Sequence, residues 1–592
     1  MSATNYRLIK TGEDLQAAIE DVSKHAVVGF DTETTSLDPY SGRLRLLQLA
    51  TTDGVYIIDL DQFANGNGAT NENLAPLRTL LAAARPVKIA HNAKFDAKWT
   101  KHHLGVELGG LFDTLLASQL IAAGDQEERH GLEAVAARYI GETIDKAERL
   151  SDWSGELSES QLTYAARDAM VLPRLREKQI ERLRADDLIA CAGIEFDCVM
   201  AVANMELAGI YLDAERWREQ MANVERQRTT LADELQLMLG EGSAQASLFG
   251  PTRADINLDS HVQLTKALKG LGVPVPDSTR NWKLQPLAAE YPVVAKLLEY
   301  RTVQKAMTSY GGNILEEINP VTKRIHANFH QIGAPTGRMA CTGPNIQQVP
   351  HAVEYRRCFR APAGRKLVIS DYSQIELRIL AEFTGDQGFI DAFNSGADLH
   401  RVTAAQVFGI ALDQVSADQR SFAKRLNFGV VYGIGAQRFS AMTGLKLDES
   451  EDIMRRYFAT YRRLDTWLRE AARRAVRERT SRTITGRLAR FNFDPEDRQA
   501  VSLAQRNGKN SPIQGSSADI LKRALRLLHD ELKGTGACIV NIVHDEVVVE
   551  ADANTAEEIT QKVEQAMRQA GEEYVKRVPI EVESHIADEW VK

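Results

Sequence analysis

A chain of 592 residues is too long to fold around one hydrophobic core and should divide into several units. With 44% hydrophobic and 26% charged residues it has a globular balance, and no apolar run is long enough to span a bilayer. The formal net charge of −9 excludes a uniformly basic surface, and the five cysteines form no Cys-x-x-Cys pair and point to a reduced compartment.

Alternating strand-like and helical patterns fill residues 1–190. The N-terminus, Met1-Ser-Ala-Thr-Asn-Tyr-Arg7, has no charged-then-apolar signal pattern, so a cytoplasmic location is expected. The apolar run Val27-Val-Gly-Phe-Asp31-Thr-Glu33 ends in acids that share one side of a strand. His91-Asn92-Ala-Lys-Phe-Asp96 and Tyr164-Ala-Ala-Arg-Asp168 each place a polar group one helical turn before an Asp. Asp31, Glu33, Asp96 and Asp168 together suit two metal ions and hydrolysis, with the Tyr164 hydroxyl free to orient a water. A helical stretch is expected from 191 to about 239, a Gly/Ser-rich loop at 240–251, and further helices from 257 to about 318, broken at Gly272-Val-Pro274-Val-Pro276.

Strand-like residues 324–332 follow. In Val368-Ile-Ser-Asp371-Tyr372-Ser-Gln374-Ile-Glu376-Leu-Arg378 a β-branched run delivers Asp371 to a strand end, after which Ile375, Leu377, Ile379, Leu380 and Phe383 take helical spacing. In Ile539-Val-Asn-Ile-Val-His544-Asp545-Glu546-Val-Val-Val549 the acids lie between two apolar runs and read as a tight hairpin turn. If the two strands are neighbours, Asp371 and Asp545 face each other. Two Mg²⁺ ions roughly 3.5–4 Å apart could then stabilise the attacking and leaving oxygens of a displacement at phosphorus.

Between these segments Arg420, Lys424, Phe428 and Tyr432 recur one helical turn apart and so share a face. Two cations below two aromatics make a triphosphate clamp with a stacking platform. Alone, each segment also reads as a solvated acid or a charge stripe running into core aromatics; their combination carries the argument. From Arg455 to Arg490 there are twelve arginines against three acids (Asp465, Glu470 and Glu478), interleaved with Tyr457, Tyr461 and Trp467. Part of that stripe is a solvated face, and part could neutralise nucleic-acid phosphates. No phosphate-binding Gly-x4-Gly-Lys-Ser/Thr loop occurs, which argues against an ATP-driven motor.

These three segments resemble motifs A, B and C of the family A DNA polymerases, the bacterial DNA polymerase I type, as DYSQIELR, RxxxKxxNFGxxYG and VHDE in the family's order. Thr336-Gly-Arg338…Pro344-Asn345-Ile-Gln347, Asp398-Leu-His400-Arg-Val-Thr403-Ala404 and Arg506…Asn510…Gln514-Gly515 extend the likeness. The N-terminal acids resemble the DEDD-type 3′–5′ exonucleases with tyrosine before the last Asp, so the likeness covers nearly the whole chain.

The resemblance implies an α/β RNase H-like exonuclease domain at 1–190 and then an α+β right-hand polymerase domain. Its mostly helical thumb would occupy 191–323, the first part of the palm 324–386, the fingers 387–505 and the second part of the palm 506–592. Asp371 and Asp545 would be metal ligands, assisted by the Tyr372 carbonyl, with Glu546 beside the primer terminus. Gln374, His400, Arg420 and Lys424 would meet the dNTP, and Phe428 would stack on its base and sugar. Glu376 would pack with Tyr432 under the sugar and leave no room for a 2′ hydroxyl. Arg338, Asn345, Gln347, Arg506, Asn510, Gln514 and His544 would line the primer–template duplex near its minor groove, where readout tests pair shape more than sequence.

In the exonuclease the four carboxylates would bind metal, Tyr164 would serve the chemistry, Leu37 would wedge against the terminal base, and Asn92 would support it. The cofactor implied is Mg²⁺, two per active site, with Mn²⁺ as a substitute. The partners implied are primer–template DNA, dNTPs and single-stranded 3′ ends, with no membrane and a monomeric enzyme. Ser421 stands where many relatives carry a second arginine. Phe428 stands where some have tyrosine, which implies discrimination against dideoxynucleotides.

With Val27 read as the start of the first exonuclease strand, no 5′ nuclease domain is expected, and the chain resembles the large fragment of such enzymes. The thumb loop is too short for a large processivity-factor insertion. The expected function is template-directed DNA synthesis with proofreading, in replication or repair, within a nucleoid or a phage-infected host; the size suits a phage replicase. A single-subunit RNA polymerase would share Asp371 and the Lys424…Tyr432 pattern, but Glu376 and the exonuclease motifs oppose it. Retention of all six carboxylates opposes an inactive accessory subunit.

Overall fold

The computed structural model describes residues 5–63, 72–125, 127–144, 148, 151–240, 253–275 and 278–591. The loop expected at 240–251 lies, beyond Gly240, outside the described residues, as does Pro276. Among the described residues no helix is long and apolar enough to cross a membrane.

The N-terminal unit is built on a mixed six-stranded sheet. Its spatial order is Tyr6–Ile9, Val55–Asp59, Leu44–Ala50, Val27–Thr34, Val87–Ala90, Leu111–Asp113. Val27–Thr34 runs antiparallel to Leu44–Ala50 and parallel to Val87–Ala90. Every residue of Leu44–Ala50 is buried, because helices cover both faces of the sheet. Leu47 and Leu49 join Ala93, Ala97 and Trp99 of helix Ala93–Leu104 in one core, and Leu46 and Ala50 join Ala165, Ala166 and Ala169 of helix Glu159–Met170 in another. The first strand is Tyr6–Ile9 and not Val27–Thr34. It is a short edge strand with a single buried residue, Ile9, so its apolar pattern is weak.

The C-terminal unit carries a four-stranded antiparallel sheet in the order Cys538–Val543, Glu546–Asp552, Arg365–Tyr372, Val582–Ala587. Helices Arg498–Glu531 and Ala556–Glu572 pack together, and Ile559, Val563 and Met567 join the sheet's Val368, Val547 and Val549 in one core. Helices His261–Gly270 and Pro292–Tyr310 close a smaller core of Leu264, Leu268, Val294 and Leu297 with Leu231 and Leu235 of helix Ala214–Gly240.

The helical stretch expected from 191 to 239 is two helices. Ile189–Ala208 ends at Gly209, whose φ is +60°, and the short strand Ile210–Tyr211 pairs with Arg324–Ile325 before Ala214–Gly240 begins. A Cβ on Gly209 would lie 2.7 Å from the His326 ring, so the close approach itself requires glycine there. Helix Ile189–Ala208 is apolar around most of its circumference because both units use it. Val199, Met200 and Ala203 belong to the N-terminal core, while Cys198, Ala201, Val202 and Met205 belong to the C-terminal one. The strand expected at 324–332 is likewise two pieces, Arg324–Ile325 and Asn328–His330.

In the arginine-rich stretch the interleaved aromatics pack inward while most of the arginines face outward. Tyr457 and Tyr461 are 0% exposed core residues, and Trp467 stacks on Phe383 with ring centroids 5.4 Å apart. Arg469 pairs with Asp465 at 2.8 Å, Arg456 pairs with Asp452, and Arg490 pairs with Asp186 at 2.8 Å. The paired Arg456 and Arg469 are themselves exposed, as are Arg455, Arg462, Arg463, Arg473, Arg474 and Arg477.

Candidate active sites

In the C-terminal sheet, the register sets Asp371 between Glu546 on one neighbouring strand and Glu583 on the other. Both chain reversals beside it use a left-handed residue. Gln374, at φ +55°, turns the strand Arg365–Tyr372 into helix Ile375–Thr384, and His544, at φ +59°, makes the hairpin before Glu546. Non-glycine residues hold that conformation only where the surroundings enforce it. The result is that Asp371 and Asp545 line one cavity of about 550 Å³.

Helix Ala417–Val431, started by a Ser416–Gln419 capping box, forms the opposite wall. It contributes Arg420, Lys424 and Phe428, and Tyr432 follows as its C-cap. Arg420 pairs with Asp398 at 2.5 Å, and Asp398 also caps helix Leu399–Phe408 through the His400 and Arg401 amides. His400 is buried, and burial lowers its pKa to about 4, so the ring is neutral. The Asn427 amide donates to its Nδ1 at 3.0 Å, which leaves Nε2–H as the donor. Asn427 stands inside the quoted Asn-Phe-Gly run, but only the tertiary contact shows its work.

Arg338, expected at the duplex, pairs with Glu376 inside this same cavity. Burial raises the Glu376 pKa, and the Arg338 guanidinium and Tyr432 hydroxyl lower it in turn. Gln374 and His544 also line the cavity. Asn345, Gln347, Arg506, Asn510 and Gln514 are not part of its lining among the described residues. Gln347 donates to the Ile542 carbonyl at 3.2 Å, beside the strand leading to His544, and the Cys341 thiol donates to the Asn345 side chain at 3.4 Å. Arg506, Asn510 and Gln514 recur at helical spacing on Arg498–Glu531, where Asn510 donates to the Tyr432 carbonyl at 3.4 Å.

Glu546 is the acid expected beside the primer terminus, and it directly follows Asp545 in the hairpin. It is 3% exposed, lies off the cavity lining, and accepts the Trp590 indole N–H at 2.7 Å with Arg356 at 3.6 Å. A buried indole needs an acceptor, and this carboxylate provides it. Of the two acids in register with Asp371, the one that lines the cavity is Glu583, which accepts from the Ser373 hydroxyl at 2.9 Å. Its strand lies beyond the hairpin, and its alternation of acids and apolar residues was the available signal.

In the N-terminal unit Asp31, Glu33, Asp96, Tyr164 and Asp168 line a second cavity of about 870 Å³, with Leu37 at its mouth, 84% exposed. Asp96 sits in the first turn of helix Ala93–Leu104, accepting from the Thr32 hydroxyl at 2.6 Å. Tyr164 and Asp168 share helix Glu159–Met170. Asn92 lines the cavity but is not on the helix with Asp96; it is the left-handed N-cap, φ +66°. Its amide donates to Asp113 Oδ1 at 3.1 Å. Asp113, 1% exposed, also accepts from the Ala93 amide at 2.8 Å and caps helix Thr114–Ala122, so one carboxylate ties two helix starts together.

Burial first, then the charges of Asp96, Glu33 and Asp168, push Asp31 well above the usual carboxylate range, and Glu33 rises for the same kinds of cause. Burial raises Asp96 to about 7 and Asp168 to about 6. Tyr164 is raised by burial and by Asp168, so its hydroxyl keeps its proton and donates to that carboxylate. Among the described residues Asp168 Oδ1 is buried without a hydrogen-bond partner. No three Asp, Glu, His or Cys side chains among them form a ready-made metal cage. Yet hard oxygen donors that repel one another in a desolvated site fit a divalent cation, which relieves both burial and repulsion.

The model of DNA polymerase family A matches residues 222–592, and that of the 3′–5′ exonuclease matches residues 6–183. DNA polymerase I of Aquifex aeolicus is 32% identical, with 98% of this chain and 99% of that protein covered. DNA polymerase I of Pseudomonas aeruginosa is 30% identical, and there the chain spans 66% of the relative's length. Among solved structures, the POL domain of Pol1 from M. smegmatis in complex with DNA primer-template and dNTP matches with a TM-score of 0.84 at 27% identity, over 99% of both chains. The chain belongs to DNA polymerase family A, as a metal-dependent DNA-directed DNA polymerase whose 3′–5′ exonuclease domain precedes its polymerase domain.

Proposed function

We propose that the cavity of Asp371 and Asp545 receives the primer 3′ end and an incoming dNTP, and that the cavity of Asp31, Glu33, Asp96 and Asp168 receives a single-stranded 3′ end for removal. One observation carries the reading: two acids distant in sequence share a cavity with Arg420, Lys424, Phe428 and the buried Glu376. Asp371 and Asp545, with the Tyr372 carbonyl, would hold two Mg²⁺ ions, for which Mn²⁺ could stand in. When bound, those ions supply charge stabilisation to the oxygens exchanged at phosphorus.

The chain's own residues do the rest. Arg420 and Lys424 offer cations to the triphosphate, and neutral His400 offers a single N–H donor. Phe428 presents a ring for stacking. Glu376, held by Arg338 and Tyr432, occupies the space a 2′ hydroxyl would need. Asn345, Gln347, Arg506, Asn510, Gln514 and His544 are assigned to the primer–template. In the second cavity Tyr164 keeps its proton and can orient a water, while exposed Leu37 meets the terminal base and Asn92 supports it. The hand-like division is assigned as thumb 191–323, palm 324–386 and 506–592, and fingers 387–505, acting as a monomer. Extension of a primed template with dNTPs in Mg²⁺, against a parallel arm with rNTPs, tests the assignment; equal use of rNTPs would overturn it.

Replacing Phe428 by Tyr should relax the preference for deoxy- over dideoxynucleotides, since a phenol hydroxyl can take the place of the missing 3′ hydroxyl. One such hydrogen bond in a desolvated site is worth about tenfold. The ratio of dideoxy to deoxy incorporation reads it, and an unchanged ratio would contradict the placement of this ring.

The second cavity also makes stability depend on pH and metal. Asp96 and Asp168 titrate at about 7 and about 6 when folded, against an ordinary 3.8. Between those values the unfolded chain has lost protons that the folded one keeps, so in EDTA stability falls as pH rises from about 4 to about 7. Mg²⁺ should therefore raise the melting temperature of the N-terminal unit at about pH 7.5 by several degrees, and progressively less toward pH 5. A metal response that is flat with pH would contradict the assignment.

A further inference from the structure

The turn that carries Arg338 is backed by four charges withdrawn from solvent. Glu195, on helix Ile189–Ala208, and Asp519 and Lys522, on helix Arg498–Glu531, are each 0% exposed. Arg487, from the hairpin of strands Thr480–Arg482 and Leu488–Arg490, is 5% exposed. Lys522 Nζ donates to Glu195 Oε1 and, at 2.8 Å, to the Gly337 carbonyl. Arg487 donates through Nε at 2.8 Å and Nη2 at 2.6 Å to Asp519 Oδ1, and through Nη2 to Glu195. The remaining oxygens are taken as well: Asp519 Oδ2 accepts from Thr483 at 3.0 Å and from Thr485, and Glu195 Oε2 accepts from Gln331 at 3.0 Å.

Such a quartet is a poor source of stability, because desolvating four charges offsets most of their attraction. What it supplies is geometry. Within the turn, the Gly333 and Ala334 amides donate to the Arg338 carbonyl at 3.0 and 3.1 Å, and Gly337 N–H donates to the Ala334 carbonyl at 2.8 Å. Gly337 has φ +84°, and a Cβ there would stand 2.7 Å from Arg487 Nε. From the other side, a Cβ on Gly515 would stand 2.9 Å from the Thr336 carbonyl. The turn is therefore pressed between a guanidinium, an ammonium and a helix, and its next side chain is the one that pairs with Glu376.

The hairpin that brings Arg487 is itself fastened to the N-terminal unit. Arg490 N–H donates to the Ala123 carbonyl at 2.8 Å, and Arg482 donates to the Asp186 carbonyl at 2.8 Å. Glu195 sits on the helix that both cores share. The quartet thus refers the position of Arg338 to the seat of the exonuclease domain as well as to the palm.

We propose that Lys522 and Arg487 are positioning residues for nucleotide addition: held by Glu195 and Asp519, they fix the 333–338 turn and so aim Arg338 at Glu376. The inference rests on the reading of the Arg338–Glu376 cavity as the nucleotide site. Three changes to the full chain test it. Lys522→Met with Glu195→Gln removes one charge of each sign. Gly337→Ala leaves all four charges in place and drives a Cβ toward Arg487. Arg338→Ala tests the underlying reading. Single-nucleotide addition and degradation of a single-stranded end are measured side by side.

In the first two, kcat for addition should fall roughly 10- to 100-fold, as for other misplacements of about an ångström. Degradation should be unchanged, and adding Arg338→Ala to either should bring no further loss. Losses that multiply with that of Arg338→Ala, or an equal loss of both activities, would overturn the inference. Addition left intact by Arg338→Ala would bring down the reading of the cavity first, and the inference with it.

Discussion

Asp371→Ala should lower primer extension by about three orders of magnitude, the equivalent of roughly 4 kcal/mol of transition-state stabilisation. Asp545→Asn should do the same, and the pair together little worse than either, because residues that act as one unit do not contribute additively. The fold should survive. Asp371 is at a strand end, and the antiparallel ladder to Glu546 and Glu583 that positions it is made by backbone groups. Relief of repulsion between Asp371 and the neighbouring acids should leave the melting temperature level or raise it slightly. Degradation of single-stranded ends should continue, because the cavity proposed for it is a different one built on a different sheet. Single-turnover extension with saturating dNTP measures the effect. A rate within about tenfold of the parent would remove Asp371 from the chemistry.

Asp371, Asp31 and Glu33, which line the two cavities, were legible because local structure alone exposes them. A β-branched run ending in Asp, followed at once by helical spacing, places Asp371 at a strand-to-helix junction, and the same logic finds Asp31 and Glu33. The face of Arg420, Lys424 and Phe428 was legible because a helix repeats every 3.6 residues whatever surrounds it. What stayed hidden depends on partners remote in sequence. Asp113 looks like an ordinary N-cap until the Asn92 amide is seen to reach it, and Glu583 looks like a solvated strand residue until its register with Asp371 is known. The indole of Trp590, which donates to the Glu546 carboxylate from 44 positions further on, was equally invisible in the local pattern. Tyr457 and Tyr461 are interleaved with arginines in the sequence, yet their helical face is core. Composition gives the charge of a segment but not which side of it is buried.

Replacing both Asp31 and Glu33 by Ala should abolish degradation of single-stranded 3′ ends, with a loss of about three orders of magnitude or more, while extension is untouched. The two share a strand edge, so their removal deletes half of the four-carboxylate set without disturbing the helices that bear Asp96 and Asp168. The variant should also be more stable than its parent in EDTA at neutral pH. Asp31 is raised chiefly by burial and then by its acidic neighbours, so the folded protein is strained by the charges its chemistry needs. Loss of activity with a gain in melting temperature is the signature of a functional site and not of a structural one, where both would fall together. On a primer with a mismatched end, the variant should extend or stall without first trimming. Degradation that persisted at the parental rate would place the hydrolytic centre elsewhere, and a lower melting temperature would mean that these acids hold the fold.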